Sequence, residues 1–478
     1  MTATTIKETA SARAAAWTTA FLVALLVVFT AIALFHSAVG AFFRVPQNFN
    51  EGWNAYLAQG AFEGKLYFPY DAMVSNNYPP LSYYLIGAIA KIGGDPIYIG
   101  RFLSAAGLFA VGINIYAILR FFRVDRLMAA SIGIAFLGYI AMGYSDYVAT
   151  NDPQWLGHGV MTTGLALFLR RYPGRGAVVA SAVLMMAAGL IKHILVPIPL
   201  AVTVWLFLYD RSRLWLWISV CIAVIAAAAA VMWALYGPLA FQSIFLAKRQ
   251  YMLLQTANAV WEYVAPALPL VALSLVTGVL NDKYARLLFL YALFALLFDL
   301  YAMSAVGVAY NGILDFYIAV ALLAGWSIGR LVGIARLFGL AAVTLPLVLV
   351  AAHLTKPHRV WQEFQEYQTA FKEDEALVRA APGPALCYAS ALCYWAGKPF
   401  VFDFYNGVNK MDLDPAFRRR FIEKLDQKYF AIIEVKRLAH LPPNLIEHMP
   451  DDVIAAIHRN YVLFKVSKIG WKYYRPRP

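Results

Sequence analysis

Residues 17–37 read WTTAFLVALLVVFTAIALFHS, an unbroken apolar run near the start of the chain. As one α-helix, a run of this length crosses about 30 Å of hydrocarbon. It follows a short polar lead and has no small-residue cleavage site, so we interpret it as an uncleaved first span rather than a signal peptide. Similar runs recur throughout the 478 residues, of which 61% are hydrophobic and 14% charged. The sequence therefore predicts a polytopic α-helical membrane protein, since a β-barrel would show short alternating segments.

Charged residues are concentrated at the end of the chain. Residues 355–478 hold 33 of the 67 Asp, Glu, Lys and Arg side chains. We therefore predict a transmembrane domain over 1–354 and a water-exposed domain over 355–478. Within the second domain the pattern predicts a small α/β fold: strands at 385–388, 400–404 and 430–435, a helix at 415–427, and a final hairpin from 461–466 and 471–474.

Loop charges predict the topology. Eleven spans are expected at 17–37, 99–120, 127–145, 155–170, 177–192, 194–209, 214–236, 263–281, 285–304, 313–329 and 333–354. Alternate loops are rich in Arg and Lys, which places them in the cytoplasm. The loops 38–98, 146–154, 237–262 and 305–312 then lie on the outer face of the cytoplasmic (inner) membrane, and an odd number of spans puts the C-terminal domain there too, in an extracytoplasmic or periplasmic position. Residues 81–92 are too short to span, so they are expected to form a half-buried helix at that surface.

Net charge and cysteine content narrow the class further. The net charge of +13 fits basic loops at one membrane face better than a nucleic-acid interface. Three cysteines provide no metal framework: Cys221 lies in an apolar span, and Cys387 and Cys393 lie close together in the C-terminal domain. A disulfide between the last two is one alternative in an oxidising compartment, and free thiols are the other.

Candidate functional residues come from several outer loops. The first outer loop contains NFNEGWNAY at 48–56, where the carboxylate of Glu51 lies beside an apolar span. The other candidates are Asn50, Tyr78, Asp152, Lys192, His193, Lys248, Arg249 and Asn311. A carboxylate can take a proton from an acceptor hydroxyl, and cations can stabilise a departing phosphate. Together they predict a transfer reaction on a lipid-linked phosphate at the membrane surface.

Each candidate also has a structural interpretation. Asp152 precedes a proline and is compatible with a simple turn, and Asn311 with a helix cap. Lys192 can extend to the interface from a helix end, while Lys248 and Arg249 can face lipid headgroups. Tyr78 can be an interfacial aromatic residue, and Glu51 can be a structural acid. Each of these interpretations would remove its residue from the candidate functional site.

Several of these segments resemble the GT-C membrane glycosyltransferases, and more narrowly the bacterial relatives of protein O-mannosyltransferases and lipid A aminoarabinose transferases. The resemblance covers roughly residues 17–330. It is carried by Asn50-Glu51, Asn77-Tyr78-Pro79-Pro80-Leu81, Gly100-Arg101-Phe102-Leu103-Ser104, Asp152 and Lys192. It implies an inverting transfer of a sugar from a polyprenyl-phosphate donor to a cell-envelope acceptor, which is a glycolipid, a polysaccharide or a protein.

The resemblance also implies roles for single residues. Where the family usually has an Asp-Glu pair this chain has Asn50-Glu51. Three alternatives follow from this departure: Glu51 takes over the role of the catalytic base, Asp152 takes it over, or the activity is altered. Lys192 is implied to contact the donor phosphate, with Asn311 near the sugar or acceptor. A divalent cation remains open as a cofactor, with no assigned ligands.

Two other functions are compatible with the same sequence. A transporter or flippase of a lipid-linked sugar would place polar residues near the middle of its spans and contain internal repeats. A non-catalytic membrane subunit would tolerate Glu51→Gln and Asp152→Asn, whereas an enzyme would lose most of its turnover with at least one of them.

Overall fold

Long apolar helices build the membrane part of the protein. The structure, a computed structural model, describes residues 3–246, 249–306, 308, 310–354, 356–439 and 448–478. The helices before residue 355 are α1 (Ala3–Gly40), α2 (Glu51–Gly60), α3 (Leu81–Ile92), α4 (Pro96–Phe121), α5 (Arg126–Gly143), α6 (Gln154–Arg171), α7 (Arg175–Ile191), α8 (Pro197–Tyr209), α9 (Arg211–Tyr236), α10 (Pro238–Phe245), α11 (Leu253–Ala259), α12 (Leu268–Val276), α13 (Ala285–Met303), α14 (Leu314–Arg330) and α15 (Gly333–Leu354).

Within the described residues, eight helices are long and apolar enough to cross a membrane. They are α1, α4, α5, α9, the run Leu253–Val276 that contains α11 and α12, α13, the run Tyr310–Arg330 that contains α14, and α15. The three remaining expected spans correspond to α6, α7 and α8, with 18, 17 and 13 residues. The protein is thus a multi-pass membrane protein. The expected short helix at 81–92 is present as α3, with one buried face.

The helices pack closely around α4 and α6. The fully buried Trp155 lies at this contact, and a Cβ on Gly107 of α4 would come within 2.3 Å of its carbonyl oxygen. Such close approach of two backbones is the usual role of small residues in membrane helix pairs. Asp95 starts α4 by accepting a hydrogen bond from the backbone N–H of Ile97 at 2.8 Å, with Pro96 in the first turn. Asp95 and Pro96 therefore determine where α4 begins.

A small mixed sheet forms the C-terminal region. Its elements are α16 (Pro357–Ala380), β1 (Ala385–Cys387), α17 (Ser390–Trp395), α18 (Phe404–Leu413), α19 (Pro415–Asp426), β2 (Ile432–Val435), α20 (Asp451–Asn460), β3 (Tyr461–Val466) and β4 (Lys472–Pro476). The strand order is β1-β2-β4-β3, with β1 parallel to β2 and the other pairs antiparallel. The expected final hairpin is confirmed as β3–β4, and the expected helix as α19.

The predicted strand at 400–404 is wrong. Residues 400–403 have no regular structure, and α18 begins at Phe404. The reason is Asp403, whose carboxylate accepts a hydrogen bond from the backbone N–H of Asn406 at 3.2 Å and so caps the helix. A short acidic side chain at such a position favours a helix start over a strand.

The C-terminal region is fixed to the end of α1. Arg44, just after α1, donates through Nε and Nη2 to both carboxylate oxygens of Glu375 on α16, each at 3.1 Å. Phe43 stacks on Phe364 of the same helix, with ring centroids 5.4 Å apart. Of the two alternatives for the paired cysteines, the structure has the disulfide, Cys387–Cys393. The membrane helices and the sheet therefore share one packed surface.

Candidate active site

A cavity of about 420 Å³ lies between the membrane helices and the C-terminal region. Seven of the nine residues singled out from the sequence line it: Asn50, Tyr78, Asp152, Lys192, His193, Arg249 and Asn311. Glu51 is not among its lining residues, and Lys248 lies outside the described residues. Loops far apart in sequence thus converge on one space.

Asp152 is the carboxylate held most directly against this space. It lies between α5 and α6 and is only 3% exposed. Its Oδ1 accepts a hydrogen bond from the backbone N–H of Gln154 at 2.8 Å, and its Oδ2 accepts one from Asn50 Nδ2 at 2.8 Å. Ala149, three residues before Asp152, has a φ of 55°. An L-residue keeps this left-handed conformation only when its surroundings enforce it. This loop is therefore held in one shape.

Lys192 supplies a positive charge beside the carboxylate. Its ammonium, 1% exposed, lies 3.5 Å from Asp152 Oδ1 and 5.0 Å from the centre of the Tyr78 ring. Among the described residues, Asp152 is the one carboxylate that forms an ion pair with its Nζ, and this contact is longer than a good hydrogen bond. A buried ammonium normally has several hydrogen-bond partners, so this one can accept an anionic ligand.

Arg249 and His193 extend the same wall. Arg249 Nη1 donates to the hydroxyl of Tyr405 at 3.3 Å, which joins the 237–262 loop to the C-terminal region. Burial, aided by the charges of Lys192 and Arg249, lowers the pKa of His193 to about 4. At neutral pH His193 is therefore uncharged, and the lysine and the arginine provide the positive charge of this wall.

Glu51 lies behind the cavity and not in its wall. Arg101 binds both of its carboxylate oxygens at 2.7 Å, and the backbone N–H groups of Gln47 and Asn151 donate to them at 2.7 and 3.0 Å. Arg101 also donates to the carbonyl oxygen of Phe43 at 2.7 Å. Both charged side chains are fully buried. The structural interpretation of Glu51 fits this geometry: the pair ties the first two outer loops to α4.

Asn311 contacts the side chain of Gln154, the first residue of α6. Its Nδ2 donates to Gln154 Oε1 at 3.3 Å, and no side chain caps α14. The capping interpretation of Asn311 is therefore wrong. Gln154 Nε2 lies 2.8 Å from His158 Nε2, and His158 Nδ1 lies 3.7 Å from Asp315 Oδ1. Asn311 is thus the cavity end of a buried polar row.

Several lining residues were missed by the sequence analysis. Asp299 is 6% exposed and accepts a hydrogen bond from the backbone N–H of Phe316 at 2.8 Å. Its signal was available, because a carboxylate inside an apolar span usually has a function. Ser390, Asp403 and Tyr405 line the cavity from the C-terminal region. Of these three residues, only Asp403 could have been recognised from the sequence, because it is an acidic residue in an apolar run.

The opposite side of the cavity is apolar and open to the outside. Phe245, Tyr251 and Tyr301 line it, and they are 71%, 50% and 63% exposed. Phe298, Ala302 and Ala305 continue this side. Of these residues, Phe298, Tyr301 and Ala302 lie on the candidate span α13, where lipid covers exposed apolar side chains, whereas Phe245 and Tyr251 lie in the predicted outer loop 237–262. A long hydrocarbon chain could therefore enter from this side while its polar end lay near Lys192.

The cavity does not suit a divalent cation. Across the parts of the chain that the structure describes, no group of three or more His, Cys, Asp and Glu side chains could hold a metal. At the cavity itself, the Asp152 carboxylate is already bound by an amide, a backbone N–H and a lysine. An ammonium 3.5 Å from Asp152 Oδ1 opposes a second positive charge at this carboxylate. We therefore derive no metal-dependent step.

Comparisons with known proteins show the fold. No family model and no curated protein matches the chain by sequence. Among solved structures, ArnT from Cupriavidus metallidurans in the apo state is similar with a TM-score of 0.61 at 14% identity, over 94% of this chain and 97% of that one. The same protein bound to undecaprenyl phosphate gives a TM-score of 0.59 at 15% identity over the same shares.

A second protein has the same architecture. The Archaeoglobus fulgidus oligosaccharyltransferase tethered with an acceptor peptide gives a TM-score of 0.58 at 12% identity, over 96% of this chain and 74% of that one. This chain therefore has the fold of the GT-C membrane glycosyltransferases. The expected resemblance is confirmed at the level of the fold.

Proposed function

We propose that this protein is a membrane glycosyltransferase that moves a sugar from a polyprenyl-phosphate donor to an acceptor at the outer face of the cytoplasmic membrane. One observation carries the proposal: a buried carboxylate and a buried ammonium, Asp152 and Lys192, lie 3.5 Å apart on a cavity that is also lined by exposed apolar side chains such as Phe245 and Tyr301. A donor with a charged phosphate and a long hydrocarbon tail matches both features. The shared fold with a protein that has been crystallised with undecaprenyl phosphate supports this donor class.

The proposed reaction is a direct displacement at the anomeric carbon. Asp152 takes the proton of an acceptor hydroxyl, whose oxygen then forms the new bond to the anomeric carbon. The bond between that carbon and the phosphate oxygen breaks, and its electron pair stays on the leaving polyprenyl phosphate. Lys192 and Arg249 stabilise the phosphate charge. One displacement inverts the configuration of the sugar.

Asp152 is the better choice of base because it lines the cavity. Glu51 has each of its oxygens occupied by an arginine and a backbone N–H, and it is fully buried away from the cavity. We therefore assign Glu51 to positioning the loops. In the same way, Asn50 orients Asp152 through a 2.8 Å hydrogen bond. Tyr78 and His193 flank the phosphate, and Asn311 faces the sugar or the acceptor.

The acceptor belongs to the cell envelope, as a glycolipid, a polysaccharide or a protein. The proposed topology has eleven spans, a membrane domain over 1–354 and an extracytoplasmic domain over 355–478 that covers the site. The basic loops on one side of the predicted spans support this orientation. The cavity would then face the compartment in which such acceptors lie.

A transporter is less well supported. Asp315 is the second residue of α14, and His158 the fifth residue of α6. Asp299 lies one turn before the end of α13. The buried polar groups near the cavity are therefore at the ends of helices, whereas alternating access is usually built around a site near the middle of the bilayer.

Reconstituted transfer tests the proposal. Purified protein in liposomes is given a panel of radiolabelled polyprenyl-phosphate sugars and an envelope lipid extract as acceptor. We expect transfer from at least one donor, unchanged by a chelator, and a decrease of about 10²- to 10⁴-fold with Asp152→Asn, the usual contribution of a general base. Movement of a donor across the bilayer without transfer would support the flippase instead. Full activity of Asp152→Asn with loss in Glu51→Gln would reverse the assignment of the base.

A further inference from the structure

The loop closed by the disulfide lies against the start of α2. Cys387 is the last residue of β1, and Cys393 lies in α17. Between them, the backbone N–H of Ala389 donates to Glu434 Oε2 at 3.0 Å, which fixes the loop to β2. We call residues 387–393 the bracket loop. The loop is thus tied to the C-terminal sheet at Cys387 in β1, at Ala389 through Glu434, and at Cys393 through the disulfide.

One hydroxyl of the bracket loop joins the C-terminal region to the candidate active site. Ser390 Oγ donates to the carbonyl oxygen of Phe49 at 2.8 Å and accepts a hydrogen bond from the backbone N–H of Trp53 at 3.0 Å. Trp53 is the third residue of α2. Its N–H is one of the unpaired groups of a first helical turn, which a Ser, Thr, Asp or Asn at the preceding N-cap normally satisfies.

The residue at the N-cap of α2 does not do this. Asn50 occupies that position, yet its side chain makes no capping hydrogen bond. Its Nδ2 is directed to Asp152 Oδ2 instead, at 2.8 Å, and its Oδ1 has no hydrogen-bond partner among the described residues. Ser390 therefore caps α2 from another part of the chain, which leaves the Asn50 amide available for Asp152.

The backbone approach at this contact is very close. A Cβ on Gly52 would come within 2.1 Å of the backbone nitrogen of Ala391. No side chain fits between the first turn of α2 and the bracket loop. A shift of the loop therefore moves the first turn of α2 with it, because these two backbones are in direct contact.

We propose that Ser390, held in place by the Cys387–Cys393 disulfide, is a positioning residue that caps α2 and so keeps Asn50 aligned on Asp152. The inference rests on the proposed function only for its effect on turnover; its structural part stands without it. Ser390 also lines the cavity, so its hydroxyl is near the reacting groups. The assignment gives the C-terminal region a part in the reaction.

Three variants of the full-length protein in liposomes test the turnover effect. Ser390→Ala is expected to lower kcat about fivefold to thirtyfold, the scale of a lost helix cap, while the donor KM changes less than twofold. Ser390→Thr keeps the hydroxyl and should retain at least half of kcat. Ser467→Ala is the matched control, because Ser467 Oγ accepts the backbone N–H of Trp471 at 3.1 Å in the same region but away from α2. An equal loss in the control, or full kcat in Ser390→Ala, would overturn the proposal.

Hydrogen exchange separates this inference from the proposed function. The backbone N–H groups at 51–54 should exchange at least tenfold faster in Ser390→Ala than in the wild type or in Ser467→Ala. This result does not need a donor or an acceptor. If the wild-type protein transfers no sugar but these N–H groups lose protection, the cap is correct and the glycosyltransferase assignment fails. Unchanged exchange with intact transfer would reject the cap alone.

The disulfide is tested without relying on a new variant to fold. Folded wild-type protein is treated with a thiol reductant and then alkylated. We expect kcat to fall in the same range as for Ser390→Ala, with faster exchange at 51–54. Reducing the disulfide in the Ser390→Ala variant should lower kcat little further, since both changes act on the same contact. Multiplied effects of the two treatments, or full activity after complete reduction, would show that the disulfide does not act through Ser390.

Discussion

The Arg101 guanidinium binds Glu51 through two parallel hydrogen bonds of 2.7 Å, and both side chains are completely buried. Glu51 belongs to the first outer loop and Arg101 to α4, so one ion pair ties the loop that carries Asn50 to a membrane helix. Removing one partner of such a pair leaves the other charge buried without compensation. This contact is therefore the one from which we expect the largest effect on stability.

Glu51→Gln should destabilise the protein strongly. The uncompensated Arg101 is expected to cost about 3–5 kcal/mol, which should appear as a large decrease in the melting temperature in detergent micelles. Glu63→Gln is the control, because Glu63 forms an exposed ion pair with Lys65 and should not shift the melting temperature measurably. Asp152→Asn should also lower the melting temperature, since it leaves the buried Lys192 ammonium without its carboxylate partner, but its amide can still accept a hydrogen bond from Asn50 or Gln154. A stable but inactive Glu51→Gln would argue for a chemical role.

Lys192→Met should weaken binding of the donor and of the released lipid phosphate. The ammonium is buried beside Asp152 and has room for an anionic partner. We expect the inhibition constant of free polyprenyl phosphate to rise at least about tenfold, the equivalent of 1.4 kcal/mol. Lys192→Arg keeps the positive charge, so its inhibition constant should lie between those of the wild type and of Lys192→Met. An unchanged inhibition constant would place the phosphate elsewhere on the cavity wall.

Asn50→Asp should make transfer more dependent on pH. The new carboxylate would lie near 2.8 Å from Asp152 Oδ2, and two carboxylates this close share a proton instead of both being charged. The acid limb of the pH–rate profile is expected to move upward by at least about one pH unit. Asn50→Ser removes the amide without adding charge, so its acid limb should stay in place. Equal shifts in both variants would contradict the electrostatic cause.

Glu434→Gln should change how stability depends on pH. Burial, with the nearby charge of Asp374, raises the pKa of Glu434 from 4.5 to about 8. Tyr367, Tyr473 and Lys465 face the same two carboxylates, Lys465 through a 3.3 Å contact with Asp374. The folded protein therefore binds an extra proton between these two pH values, and this stabilisation is full below pH 4.5 and is lost as the pH rises through about 8.

The measurement is the melting temperature between pH 5 and pH 9. The wild type should lose stability across this range, with a slope of at most about 1.4 kcal/mol per pH unit from Glu434. Glu434→Gln keeps an acceptor for the Ala389 N–H and should lose less stability than the wild type between pH 5 and pH 9. The variant should therefore be the more stable protein at pH 9. The exposed Glu366→Gln is the control and should follow the wild type. Parallel curves for all three proteins would rule out Glu434 as the cause.

Hydropathy was sufficient for the helices of the membrane part because the bilayer imposes a simple requirement of length, whereas the orientation that the loop charges indicate stays a prediction. An apolar run must be long enough to cross, and basic loops stay on one side. The helix α3 was predictable from its length and from Pro79-Pro80. The strand expected at 400–404 failed because an apolar run does not distinguish a strand from a loop, and Asp403 capped a helix instead.

The sequence could identify candidate site residues within single loops, but it could not show which of them lie together. Asp152 and Lys192 were found because polar residues at helix ends are unusual in so apolar a chain. The choice between Asp152 and Glu51 required a structure, since the partner of Glu51 lies 50 residues away in α4. Ser390 could not have been found, because its contact with Trp53 joins residues 337 positions apart and leaves no trace in local sequence.

The wall formed by residues 388–406 has a consequence for biosynthesis. The cavity needs both this segment and the first outer loop, and the contact between Phe49 and Ser390 joins residues that are 341 positions apart in the sequence. A nascent or truncated chain that ends before residue 388 lacks Ser390 and Tyr405, so α2 loses its cap and Arg249 loses its hydrogen bond to Tyr405. Under the proposed function, such incomplete chains are expected to leave the lipid carrier pool untouched, since the proposed site forms only after residues 388–406 have folded against the first outer loop.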